Sequence, residues 1–309
     1  LRVLITGASG FAGGYLGRAC SEAGDEVVGV SRRGTCDGGQ GIALDLRDNG
    51  SVRELVREFQ PEVLYHLAAL SSVGRSWEQP AETMEDNVAT AVSVLEAIRA
   101  AAPRARLVWI SSCEVYGPPE HLPVGEDAPI RPANPYAVSK AAGELLADVY
   151  AQAHDLDIVR LRPFSHAGPG QQPIFIVSSI ARQAARGRLE RAETIEIVTG
   201  NAATRRDFTD VRDVVGAYRL AAEHAGPGTY NVSSGASVSA AEQVALAAEL
   251  LAPARVNHVV DPGLVRAHEV PELAGANERL RAATGWRPEI SLSQTLSDTI
   301  AWWEHQLAT

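Results

Sequence analysis

A doubly wound parallel α/β sheet, followed by a smaller C-terminal substrate-binding domain, is the fold class that the sequence predicts. Three observations carry it. Short β-rich runs alternate with longer helical patterns through the first half of the chain, as βαβ units require. A glycine-spaced turn joins the first run to the first helix. Beyond Arg162 the alternation gives way to broken loops, with Pro163, Gly168-Pro169-Gly170 and Pro173 close together.

Residues 2–6 (RVLIT) read as the first strand, 11–23 as a helix with Gly24 as its stop, and 26–30 (EVVGV) as the second strand. A third strand is expected at 41–45 (GIALD), then a helix at 51–59 closed by Gln60-Pro61. Strand-like 63–66 precedes a long helix at 81–101. A strand at 106–111 (RLVWIS), a helix at 136–152 and a sixth strand at 157–161 (DIVRL) follow. A later helix is expected near 176–186, with charged and turn residues around 186–191 and 199–206. The expected division is 1–165, a Rossmann-type domain, and 166–309, mainly a substrate domain with some segments returning to the first. Ligands of such a sheet gather at the C-terminal ends of its strands.

Composition fits this and removes other classes. The chain has 309 residues, 45% hydrophobic and 21% charged, which is ample for a core and excludes disorder. At this length roughly three quarters of the unfolded surface is buried on folding. No apolar run approaches the ~20 residues of a membrane-spanning helix. A formal charge of −10 argues against a nucleic-acid surface but not against a small anion in a local basic pocket. Cys20, Cys36 and Cys113 form no CxxC, and the eight His are dispersed, so neither disulfides nor a metal site are expected. The opening residues read as strand and turn rather than as a signal peptide, and a cytoplasmic location is expected.

Thr6-Gly7-Ala8-Ser9-Gly10-Phe11-Ala12-Gly13 lies between the first strand and the first helix. Gly7 permits a tight turn, Gly10 lets backbone N–H groups approach a diphosphate, and Gly13 allows close helix packing. Val30 is followed by Ser31-Arg32-Arg33 rather than by a carboxylate. A hydroxyl and two guanidiniums suit a 2′-phosphate, so NADP(H) is expected over NAD; two ordinary surface arginines are the competing reading. Asp45 and Leu46 after the third strand, and Leu67 and Ala68 after the fourth, are expected along the cofactor. A loop-capping role would equally explain Asp45.

Tyr136 and Lys140 share one helix face at i,i+4 spacing. A nearby ammonium favours the phenolate, so Tyr136 is expected to have a lowered pKa and to exchange a proton with a carbonyl oxygen during hydride transfer. Ser111-Ser112-Cys113-Glu114 closes the fifth strand, where Ser112 is placed to hydrogen-bond that oxygen. A simple serine-rich strand exit accounts for Ser111.

With the glycine turn, Ser112, Tyr136 and Lys140 together, the chain resembles the extended short-chain dehydrogenase/reductase family that acts on nucleotide-activated sugars. Arg162-Pro163-Phe164-Ser165-His166-Ala167-Gly168-Pro169-Gly170-Gln171 is similar to a segment of that family's GDP-4-keto-6-deoxy-D-mannose reductase branch. So are Arg206-Asp207-Phe208-Thr209-Asp210-Val211, Asn231-Val232-Ser233-Ser234-Gly235, Arg266-Ala267-His268-Glu269-Val270-Pro271 and Thr284-Gly285-Trp286-Arg287-Pro288. The resemblance implies a GDP-linked deoxysugar substrate, with Arg206 and Arg266 on its diphosphate and Glu269 on the guanine or ribose side. It also implies a homodimer through two helices per subunit, here 81–101 and 136–152. Ser165 stands where the branch carries Asn, so a two-way carboxamide is replaced by a shorter hydroxyl. Glu114 sits where family dehydratases carry their base, with Cys113 as a candidate acid. That keeps a GDP-mannose 4,6-dehydratase, or a related epimerase, open beside the reductase. A non-catalytic NADPH-sensing scaffold is the reading from outside enzymology, and the intact Tyr136/Lys140 pair argues against it.

Overall fold

The structure, a computed structural model, describes residues 1–265 and 270–309. In chain order the first half comprises β1 (Arg2–Thr6), α1 (Phe11–Glu22), β2 (Glu26–Ser31), β3 (Gln40–Ala43), α2 (Asn49–Phe59), β4 (Val63–His66), α3 (Val73–Glu78), α4 (Pro80–Ala101), β5 (Arg106–Ile110), α5 (Pro135–His154) and β6 (Ile158–Pro163). The second comprises β7 (Ser165–Ala167), α6 (Ile176–Leu189), β8 (Thr194–Thr199), β9 (Arg205–Asp210), α7 (Val211–His224), β10 (Gly228–Val232), β11 (Ser237–Ser239), α8 (Ala240–Leu251), β12 (Arg255–Val260), β13 (Glu272–Leu273), α9 (Glu278–Thr284) and α10 (Leu292–Ala308).

Seven parallel strands form the main sheet in the order β10-β6-β5-β4-β1-β2-β3. The strands are apolar on both faces because helices cover both. In β1, Val3 and Ile5 enter a core with Leu16 of α1 and Val215 and Tyr218 of α7. Leu4, between them, points to the opposite core with Val56 of α2 and Val94 and Ile98 of α4. Strand order reverses between β1 and β4, so a crevice opens at their C-terminal ends.

The strands and helices expected in the first half are present, with bounds shifted by a few residues. β3 stops at Ala43, so Asp45 lies in the loop beyond it. α3 was not expected: six residues are too few to show a helical period. In the second half, β8 and β12 form a parallel pair packed with α6, α8 and α10. β9 begins at the end of the turn-rich 199–206 region and carries β7, β11 and β13 as partners. β10, from the second half, supplies the edge strand beside β6.

Candidate active site

The crevice begins at the glycine turn. Gly7 has φ +75° and donates its N–H to Val30 O at 2.8 Å; a Cβ there would lie 2.8 Å from Ala68 N. A Cβ on Gly13 would collide with the Gly7 carbonyl, so α1 lies directly on the turn. Gly10 caps α1 with no side-chain hydrogen bond, and the first turn holds no acidic residue. The helix therefore presents uncapped N–H groups, which suit a diphosphate. Phe11 stacks on His166 with ring centroids 6.0 Å apart, and the Tyr15 hydroxyl donates to Pro169 O at 2.8 Å. These two contacts tie β7 and the loop after it to α1. Leu67 donates its N–H to Thr6 O at 3.2 Å, continuing the crevice floor.

At the end of β2 the basic residues gather as follows. Arg33 donates to the Ser9 carbonyl at 2.8 Å and so folds over the glycine turn. Arg32 is solvent-exposed, 4.0 Å from Asp86, and Arg47 reaches the same carboxylate at 3.1 Å. Arg47 also chelates Asp45 and holds that carboxyl down at about 2. Ser31 is buried and its hydroxyl accepts from Thr35 N at 3.3 Å, closing the turn. Leu46 packs its side chain into the core. Arg47 was missed by the sequence reading, although it stands two residues after Asp45.

Ser112 and Tyr136 meet at the end of β5. Ser112 caps a short 3-10 turn over Cys113–Tyr116 and accepts from Glu114 N at 3.2 Å. Asn134 caps α5 by accepting from Ala137 N at 2.8 Å, and Pro135 follows at the first helical position, where its missing N–H costs nothing. The Asn134 amide also donates to Glu114 Oε2 at 2.9 Å. Glu114 thus braces the start of the helix that carries Tyr136.

One expectation is corrected here. Burial raises the Tyr136 phenol above its ordinary value, with Ser112 pulling it down and Glu114 adding to the rise. No lowering by Lys140 offsets that burial, and its ammonium donates to the Ile110 carbonyl. Burial pulls Lys140 itself to about 8. Cys113 is buried and its thiol is pushed far up by the same cause. Across from Lys140, His66 is buried and held to about 3, with Nδ1 2.9 Å from Thr6 Oγ1. Asn87 of α4 donates to Ser139 Oγ at 2.8 Å and accepts from Leu70 N at 2.7 Å, locking the loop after β4 to α5.

In the second half, Ser165 opens β7 opposite Phe208, and Arg206 lies on β9 between β11 and β13. The Arg206 guanidinium donates to the carbonyls of Arg205 and Val270, both at 2.8 Å. Neighbouring Asp207 is buried and accepts from Ser234 N, Ser234 Oγ, Gly235 N and Gly275 N, a bracing role. Arg266 and Glu269 lie outside the described residues.

The chain is similar to known proteins over nearly its whole length. The family description "GDP-mannose 4,6 dehydratase" matches residues 4–299. The chain is 33% identical over 311 residues to GDP-6-deoxy-D-mannose reductase of Pseudomonas aeruginosa, covering 99% of this chain and 98% of that one. A solved structure of RMD from Pseudomonas aeruginosa complexed with NADPH is 32% identical, with a TM-score of 0.86 over 99% of this chain and 100% of that one. UDP-glucose 4-epimerase of Thermus thermophilus, solved with NAD, is 30% identical, with a TM-score of 0.87 over 98% and 99% of the two chains. On these grounds the chain belongs to the GDP-mannose 4,6 dehydratase family, an enzyme family of the extended short-chain dehydrogenase/reductase type.

Proposed function

We propose that the protein reduces the C4 ketone of a GDP-linked 4-keto-6-deoxy-D-mannose, giving GDP-D-rhamnose. The observation that carries this reading is the likeness to the Pseudomonas reductase over nearly the whole chain, 33% identical over 311 residues. The pairing of buried Tyr136 with Ser112 at the end of β5 supplies the proton donor that reduction of a carbonyl needs.

NADP(H) is the cofactor, and the residues present fit it. Gly7 and Gly13 leave room that any Cβ would fill, the α1 N-terminus is uncapped, and Arg32 and Arg33 beyond β2 support a reading of the 2′-phosphate. When bound, it supplies the hydride. Tyr136 then gives its proton to the C4 oxygen while Ser112 hydrogen-bonds that oxygen. Lys140, held one turn along α5 by the Ile110 carbonyl, is the second member of the proposed proton-transfer pair. Arg206, Arg266 and Glu269 hold the GDP moiety, and residues 166–309 form mainly the substrate side. Val138, Leu145 and Val149 expose an apolar stripe along α5, at 41%, 53% and 60%, which supports a homodimer through α4 and α5. No helix among the described residues is long and apolar enough to cross a membrane. Cytoplasmic residence is part of the proposal, since NADPH and nucleotide sugars are found there.

The test is product made in D₂O. A reductase never breaks the C5–H bond, so its product carries no deuterium at C5. Label at C5, with GDP-mannose as the substrate consumed, overturns the reading in favour of the dehydratase.

A further inference from the structure

Lys140 is the only lysine in the 309 residues. Three consecutive residues at the end of β5 meet α5 at one-turn intervals. Ser112 lies beside Tyr136, the Ile110 carbonyl accepts from Lys140, and the Ser111 hydroxyl donates to Glu144. Glu144 is 1% exposed, and Arg162 of β6, itself buried, donates to it through Nε at 3.0 Å and through Nη2. Arg162 also donates to the Tyr116 hydroxyl at 2.9 Å, which donates to Asn231 of β10 at 2.6 Å. The carboxylate is thus a hub joining α5, β5 and β6, and through Tyr116 it reaches β10. A buried ion pair of this kind is often no more stabilising than apolar residues of the same volume. Its place one helical turn beyond Lys140 therefore points to a role in the site.

We propose that Glu144 is a positioning residue for Lys140: it locks α5 to the end of β5 and supplies the counter-charge that keeps the buried ammonium charged. The inference rests on Tyr136 and Lys140 being the proton-transfer pair. The groups around Lys140 leave Glu144 as its source of negative charge. Its own helix offers Tyr136, protonated, and Glu144. β4 offers His66, neutral, and β6 offers Arg160 and Arg162, which face Glu144. The 3-10 turn offers Cys113 and Glu114, both acting on Tyr136. α4 offers the uncharged Asn87. Ser111, read from sequence as a plain strand exit, is the clamp that couples Glu144 to the strand end bearing Ser112.

A single lysine makes the test direct. Protein labelled with ¹³C-lysine gives one side-chain Cε signal, whose pH titration reads Lys140 without any substrate. Glu144→Gln is expected to lower the midpoint by about one pH unit or more. Arg162→Gln, removing the opposing charge, is expected to raise it, and Glu144→Asp, which keeps the charge, to leave it in place. A purely structural hub would give Glu144→Gln a lower melting temperature with the parental midpoint, and that result overturns the inference. If Glu144→Gln does not fold, Arg162→Gln decides alone: a raised midpoint supports the counter-charge and an unmoved one overturns it. Turnover of Tyr136→Phe judges the underlying reading separately. Full activity in that variant overturns the proton-transfer assignment, whatever the lysine titration shows.

Discussion

Tyr136 and Lys140 are buried one turn apart, yet burial acts on them in opposite directions. It favours the neutral form of each, so the phenol keeps its proton to higher pH and the ammonium gives its proton up sooner. Replacing Tyr136 by Phe removes the proton donor and leaves the glycine turn untouched. Turnover is expected to fall on the order of 10²–10⁴-fold with the NADPH dissociation constant unchanged; steady-state rates and fluorescence titration check both. The Lys140 ammonium is lost as pH rises through about 8, so kcat/KM is expected to decline on that alkaline side. Glu114→Gln still accepts from Asn134, and in a reductase it should cost at most about tenfold, or ~1.4 kcal/mol of barrier. A loss on the order of 10²–10⁴ would mark Glu114 as a general base. Arg32→Asp combined with Arg33→Ala should weaken NADPH far more than NADH. Equal weakening of both would mean that these arginines do not read the 2′-phosphate. At this scale the glycine spacing and the i,i+4 pair were legible in the sequence. The bond from Lys140 to Ile110 O and the gathering of Arg47 with Arg32 at Asp86 were not, because they pair side chains with groups far away along the chain.

Among the elements, α5 is the one that places the chemistry, and its start is over-determined. Asn134 caps it, Pro135 begins it and Glu114 grips the cap from the preceding 3-10 turn. Asn134→Ala should cost about 1 kcal/mol from the lost cap. It should also lower kcat more than it raises KM, because Tyr136 is two residues away; thermal melting and steady-state kinetics separate the two effects. On the outer face of the same helix, Leu145→Glu puts a charge into the apolar stripe with Val138 and Val149. For the proposed homodimer through α4 and α5, sedimentation is expected to show a shift from dimer to monomer. The apolar runs of β1, β2, β4 and β5 were readable because buried parallel strands need side chains that satisfy both cores. β9 and α3 were not, since the charged residues of RRDFTD mask a strand period and six residues cannot show a helical one; β8, TIEIVT, does alternate, but its period is short and flanked by charged turn residues.

Across the whole molecule, the crevice is built from segments that the chain brings back from its second half. β10 extends the main sheet beside β6, and β7 with the loop after it reaches α1 through His166 and Pro169. The parallel sheet was legible from local alternation, but its seventh strand is set by pairing across some seventy residues, about which local pattern says nothing. The contacts of His166 with Phe11 and of Pro169 with Tyr15 join α1 to the second half of the chain, as the proposed transfer between two bound molecules requires. The central claim is that this crevice runs a net reduction of a ketosugar. It is tested most directly by supplying GDP-mannose and GDP-4-keto-6-deoxymannose separately, each with NADPH, and following cofactor and sugar together. The account predicts one NADPH oxidised per ketosugar consumed and no reaction with GDP-mannose. Conversion of GDP-mannose with no net change in NADPH would contradict it.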